Sequence, residues 1–321
     1  IYSVLSTKCN VVATHGNFNN EIGVPLTLLS VSLDTDIAIV EMGANHPGEI
    51  DFLCSLVNPT IGIITNIGFA HLEGFGTFEN IINTKKALYN YVNSVNGELF
   101  VNKSDKILVD LSHNSHAKYY LDNHGLNGLI INDSRPEMTF YYVTPDFKSE
   151  SIKTHLFGDY NLSNAMAAVV IGRHFNVSDS NIKNALESYY PQNNRSQLLN
   201  SEKNRIILDA YNANPASTMA ALSHFNQLNE DKKLIILGDM LELGSYASEE
   251  HQKIVDWVQS ENLDAIVVGP YYSNCKNLNG ITTFDSVDSL IKYVEQNPIH
   301  SKTILLKGSR GLELEKLVAF L

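Results

Sequence analysis

Several residues able to do chemistry stand directly after short runs of β-branched residues. Glu41 ends the run at 37–40 and is followed by Met42-Gly43-Ala44-Asn45. A carboxylate at the tip of an apolar strand is an arrangement that holds Mg²⁺, directly or through water. The alternative is an exposed acid at a strand end. His71 lies in a Gly-rich loop, Thr65-Asn66-Ile67-Gly68-Phe69-Ala70-His71-Leu72-Glu73-Gly74-Phe75-Gly76, after the run at 61–65. An imidazole there suits metal binding or acid–base work, although a lone His is more often structural. Gly16-Asn17-Phe18-Asn19-Asn20-Glu21-Ile22-Gly23 follows a strand and precedes a helix. Its amides suit phosphate oxygens, and the same composition suits a turn that caps the helix. Lys85-Lys86, on the helix after the histidine loop, reads by itself as a solvated face.

The second half repeats the pattern. Arg195 sits in a polar stretch. Asp209-Ala210-Tyr211-Asn212-Ala213-Asn214-Pro215, Leu237-Gly238-Asp239-Met240-Leu241-Glu242-Leu243-Gly244 and Lys307-Gly308-Ser309-Arg310-Gly311 each join a strand to the start of the next element. Backbone N–H groups at such places suit a carboxylate or phosphate. One such loop would be ordinary helix capping; several on one sheet edge favour a ligand.

The elements that must position these residues alternate. Strands are expected over 11–13, 37–40 and 61–65, with helices over 25–32, 49–57 and 78–92, a βαβ arrangement on a parallel sheet. Strands at 98–101, 107–109 and 129–131 follow, then an antiparallel pair at 138–144 and 151–157 and helices at 161–175 and 178–188. The polar stretch at 191–194 marks a boundary, giving domains of residues 1–192 and 193–321. Beyond it, strands at 206–209, 234–237, 265–268 and 303–306 alternate with helices at 215–228, 249–259 and 287–296. This is a second doubly wound α/β domain.

The 321 residues suit two domains, each with its own core. Hydrophobic residues make up 44% and charged residues 18%, a globular composition. No uncharged apolar run reaches the length of about 18 residues that a membrane span needs, and residues 1–8 carry no secretory pattern. A net charge of −12 disfavours nucleic acid. The cysteines Cys9, Cys54 and Cys275 are odd in number and widely spaced, which fits free thiols in the cytoplasm.

The strings GNFNNEIGVPLTLL, EMGANHPGEI, TNIGFAHLEGFG, DAYNANP, LGDMLELG and LKGSRG, in this order and spacing, resemble the Mur ligase family. Each is weak alone; together they are specific and run from near Asn10 to near Gly311. The resemblance is to members that add D-alanyl-D-alanine to UDP-N-acetylmuramoyl-tripeptide in peptidoglycan precursor synthesis. It implies an ATP-dependent, ADP-forming ligase working through an acyl phosphate. It also implies a central P-loop-type ATPase domain of parallel-sheet α/β class followed by a Rossmann-like α/β domain.

By the resemblance, Glu41, His71 and Lys85 (expected to be carbamylated) bind two Mg²⁺ ions. Asn20, Asn161, Asn164, Arg195 and Asp209 contact ATP. Tyr211, Asn212, Asn214, Ser309 and Arg310 lie near the dipeptide or acyl phosphate. Where the family often has a histidine, this chain has Tyr160. A cytoplasmic monomer is expected. No Gly-Lys dipeptide occurs, so the family's G-x-x-x-x-G-K-[ST] loop is not in this sequence. The chain, starting at Ile1, is expected to begin inside the helix after that loop and to be inactive by itself. The competing readings are another ligase of the superfamily, such as a folylpolyglutamate synthetase-like one, and a non-catalytic binding protein.

Overall fold

The structure is a computed structural model that describes residues 1–69, 71–113, 115–132 and 136–321. Ala70, inside the histidine-loop string, lies outside the described residues.

In the first domain β1 (Val11–Ala13) and β2 (Ile37–Ile39) pair in parallel, with Val11 opposite Ile37. Next come β3 (Ile61–Ile63), β4 (Glu98–Asn102) and β5 (Ala117–Tyr120), also parallel. Parallel neighbours need long crossovers, and helices supply several of them. The helix Glu49–Val57 opens after Gly48 in the left-handed region (φ 87°), with Glu49 and Asp51 in its first turn. Those acids complement the positive end of its dipole. The helix Phe78–Ser94 is capped by the Thr77 hydroxyl, which accepts from Asn80 N–H.

One expectation fails here. Residues 107–109 are not a strand but part of the helix Lys106–Leu111. The Asp105 carboxylate caps it by accepting from Leu108 N–H at 3.1 Å. A three-residue aliphatic run has no period of its own, so the cap decides. The strand that follows is β5, which sequence reading missed because its mixed Ala-Lys-Tyr-Tyr composition concealed it.

Next, β6 (Asn127–Ile131), β7 (Glu137–Thr144), β8 (Phe147–Lys148) and β9 (Ile152–Phe157) form an antiparallel sheet around β7. The helix Leu162–His174 packs among Phe100, Met138 and Phe140. Its small residues Ala165, Ala167 and Ala168 are all buried, allowing a close approach to the sheets.

The second domain is one sheet of β10 (Gln197–Asn200), β11 (Arg205–Asp209), β12 (Lys233–Gly238), β13 (Ala265–Val268), β14 (Ile281–Phe284) and β15 (Thr303–Lys307). The order is β10-β11-β15-β12-β13-β14, parallel throughout except for β10. Its faces pack into separate cores, one around Ile207, Leu237 and Phe225, the other around Ile206, Ile236 and Leu290. Because β15 inserts between β11 and β12, Lys307 stands in register with Asp209 on one side and Leu237 on the other. The three loops noted in the sequence therefore emerge side by side at a topological switch point, where open α/β sheets bind ligands. Among the described residues no helix is long and apolar enough to cross a membrane.

Candidate active site between the two domains

A cleft of about 950 Å³ opens between the domains. One wall carries Thr14, Gly16, Asn17 and Glu41; the other carries Arg195, Tyr211 and Arg310.

Glu41 follows β2 and is exposed. Its backbone N–H donates to the Thr14 hydroxyl at 2.8 Å, and its carboxylate accepts from Asn19 Nδ2 at 2.9 Å. The Asn19 carbonyl accepts from Gly43 N–H at 2.7 Å. A Cβ on Gly43 would lie 2.8 Å from Asn19 Nδ2, so a side chain there would push the Asn19 amide away from Glu41. Asn20 spends its side-chain oxygen on the backbone, accepting from Ile22 N–H at 3.2 Å and Gly23 N–H at 2.9 Å. This is the turn-and-cap role its composition also allowed.

His71 opens the turn Leu72–Phe75 with a left-handed backbone (φ 55°). Its Nδ1 lies 2.5 Å from the Glu242 carboxylate of the second domain. Gly74 of the same loop packs on the Glu41 loop so closely that a Cβ would lie 2.1 Å from the Asn45 carbonyl oxygen. Lys85 is half-buried and donates from Nζ to the carbonyl of Asn66, in the histidine loop, at 3.1 Å. Burial pushes its ammonium below the usual lysine range. Glu41, His71 and Lys85 thus belong to contiguous segments, although only Glu41 lines the cleft.

Asn161 and Asn164 form an amide chain. Asn164 Nδ2 donates to Asn161 Oδ1 at 3.0 Å, and Asn161 Nδ2 donates to the Phe157 carbonyl at 2.8 Å. Asn161 and Tyr160 both reach the Ser196 hydroxyl, at 3.4 and 3.3 Å. Burial, reinforced by the Asp209 charge, pushes the Tyr160 phenol far up, so it stays protonated. Ser196 N–H donates to Asp209 Oδ1 at 3.1 Å, and Lys307 Nζ donates to Asp209 Oδ2 at 2.7 Å. Asp209 is therefore committed to the inter-domain turn and to a lysine that is only 2% exposed.

Arg195 and Arg310 both approach the Tyr211 ring, with guanidinium carbons 3.8 and 5.4 Å from its centroid. The ring face attracts both cations and keeps them together. In a chain of net charge −12 this is a local concentration of positive charge. Glu315 also lines the cleft, with one carboxylate oxygen buried and unpartnered. Asn212 Oδ1 accepts from Ala213 N–H at 2.8 Å. Asn214 caps the helix Pro215–Gln227 through a capping box with Ser217. The Ser309 hydroxyl, buried, accepts from Leu241 N–H at 2.9 Å and ties two loops together.

Sequence reasoning passed over Lys307, Ser196 and Glu242. Lys307 carried a signal: a cation ending the apolar strand Thr303–Lys307 must find an anion. Glu242 carried none.

The comparisons match both halves of this α/β chain. Residues 1–172 match the Mur ligase middle domain, and residues 194–310 match the Mur ligase, glutamate ligase domain. The chain belongs to the Mur ligase family. It is similar to the UDP-N-acetylmuramoyl-tripeptide–D-alanyl-D-alanine ligase of Bacillus subtilis, at 30% identity over 99% of this chain and 71% of that protein. The ligase of the same name from Rickettsia prowazekii is 31% identical over 97% of this chain and 72% of its own length. A crystal structure of MurF from Acinetobacter baumannii superposes with a TM-score of 0.87 at 28% identity, covering 99% of this chain and 71% of that one.

Proposed function

We propose that this chain carries the dipeptide-adding chemistry of an ATP-dependent ligase that joins D-alanyl-D-alanine to UDP-N-acetylmuramoyl-tripeptide. The observation that carries the reading is the cleft, where Glu41 of one domain faces the Arg195–Tyr211–Arg310 cluster of the other. A carboxylate is a poor acyl donor, and phosphorylation by ATP gives it a leaving group. The dipeptide amine then attacks the acyl carbon, and phosphate departs. Arg310 and Arg195, steadied on Tyr211, hold the anionic oxygens of the acyl phosphate or of the dipeptide carboxylate. Gly16 and Asn17 line the same space.

Among the described residues no three His, Cys, Asp or Glu side chains gather as a metal cage. Mg²⁺ takes one or two carboxylates and draws its other ligands from water and phosphates. Glu41, His71 and a carbamylated Lys85 would hold it, and the ion would offset repulsion between the reacting anions. The lowered pKa of Lys85 enlarges the neutral-amine fraction that carbamylation by CO₂ requires. Asn161 and Asn164 line the nucleotide side. Asp209, Asn214 and Ser309 act by holding the loops rather than by touching substrate.

The test joins this chain to the phosphate-loop segment of a relative and follows phosphate release that depends on D-alanyl-D-alanine. Arg310→Ala is expected to lower kcat/KM on the order of 10–100-fold, the worth of one charge-assisted hydrogen bond. Lys85→Ala is expected to lower it further. Release driven by free glutamate instead of the dipeptide would sink the assignment.

A further inference from the structure

We infer that Glu242 is a positioning residue for His71, a carboxylate supplied by one domain that sets the imidazole of the other. The inference rests on the reading of His71 as a Mg²⁺ ligand and deepens it.

The contact is direct: His71 Nδ1 lies 2.5 Å from Glu242 Oε2. A carboxylate at that distance accepts a hydrogen bond from the ring nitrogen and so favours the tautomer with hydrogen on Nδ1. Nε2 is left with its lone pair free. Metal-binding histidines are commonly held this way, with the second ring nitrogen donating to a carboxylate that orients the ring and raises its basicity.

The backbone around the contact is consistent with a purpose. Both partners hold left-handed conformations, His71 at φ 55° and Glu242 at φ 65°. Glycine and asparagine adopt that region readily; a glutamate held there marks a backbone constrained by its surroundings. The neighbouring contacts repeat the docking. Glu73 N–H donates to the Glu242 carbonyl at 3.3 Å. A Cβ on Gly244 would come within 3.6 Å of Glu73 Cα. The LGDMLELG loop therefore seats on the histidine loop by backbone and side chain together. The docked second domain thus supplies the contact that holds the His71 ring.

The test uses the 321-residue chain with ¹⁵N-labelled histidine. In the wild type, the His71 ring is expected as one tautomer, protonated on Nδ1. Glu242→Gln should keep it, because the amide oxygen accepts the same bond. Glu242→Ala should average the two ring nitrogens and lengthen the distance between spin labels placed on the two domains. Mn²⁺ titration supplies a second readout. Glu242→Ala should weaken Mn²⁺ binding by about tenfold, and His71→Ala by at least as much. A His71 ring unchanged in Glu242→Ala overturns the inference. So does a Mn²⁺ affinity that falls with His71→Ala but not with Glu242→Ala. If His71→Ala leaves Mn²⁺ binding intact, the metal reading fails by itself, and the ring spectrum still judges the contact between the domains.

Discussion

Lys307 is a buried cation held by two partners. It ends a fully buried strand, is 2% exposed, and meets Asp209 at 2.7 Å and the Asn212 carbonyl at 3.3 Å. A buried pair of this kind is weak evidence of net stability, yet losing one partner leaves the other uncompensated. Lys307→Ala is therefore expected to cost about 3–5 kcal/mol in urea unfolding. Lys307→Met combined with Asp209→Asn should recover much of that loss, and a double variant no more stable than the single would overturn the pairing argument. The same pair explains why Asp209 faces inward. The residue expected to contact ATP also anchors the turn that carries Arg195 and Ser196.

At the scale of elements, the Asp239 loop is braced by the helix Ala247–Ser260. His251 on that helix is fully buried; its Nε2 accepts from Met240 N–H at 2.9 Å, and its Nδ1 lies 2.6 Å from the Ala247 carbonyl. Asp239 accepts from Tyr271 and Tyr272 N–H, each at 3.0 Å, and so holds the turn Pro270–Ser273. Burial lowers the His251 pKa, so the folded state keeps the ring neutral while the unfolded chain protonates near 6.5. Stability from this group is complete above that pH and is lost as pH falls through it. Burial raises the Asp239 carboxyl, so the folded state takes its own proton earlier than the unfolded chain does. That contribution has the opposite sign and flattens the loss at lower pH. Denaturant unfolding is expected to lose up to about 1.4 kcal/mol per pH unit just below neutrality, then level off. In His251→Gln that slope should disappear; an unchanged slope would assign it to other groups.

For the whole molecule, the domains have separate cores with one strong trespass. Phe157 ends β9 in the first domain but packs in the core of the second, edge-on to His224 at 4.9 Å. Its carbonyl also accepts from Asn161 Nδ2. Phe157→Ala is expected to cost about 3–5 kcal/mol and to split the thermal transition into two in calorimetry. Small-angle scattering should then report a wider distribution of inter-domain distances. A single sharp transition in that variant would show that the polar contacts at Ser196 and Glu242 suffice to hold the domains together.

Much of this was legible in the residues themselves. Period and punctuation located most strands and helices, because a buried parallel strand needs a continuous apolar run and a helix needs a cap. The strings around Glu41, His71 and Arg310 marked loops that lie where the two domains meet, each combining small residues with charge at strand ends. The strands Ala117–Tyr120, Gln197–Asn200 and Ile281–Phe284 were missed; mixed edge sequences carry little periodicity. What each polar side chain does was decided only by tertiary structure. Asparagine reads the same whether it caps a helix, as Asn214 does, or extends an amide chain, as Asn164 does. Lys307 finds Asp209 across 98 residues, and His71 finds Glu242 across the domain boundary. Local sequence sets the propensity of a segment. A partner far along the chain is chosen by the packing of sheets and domains, which no local pattern encodes.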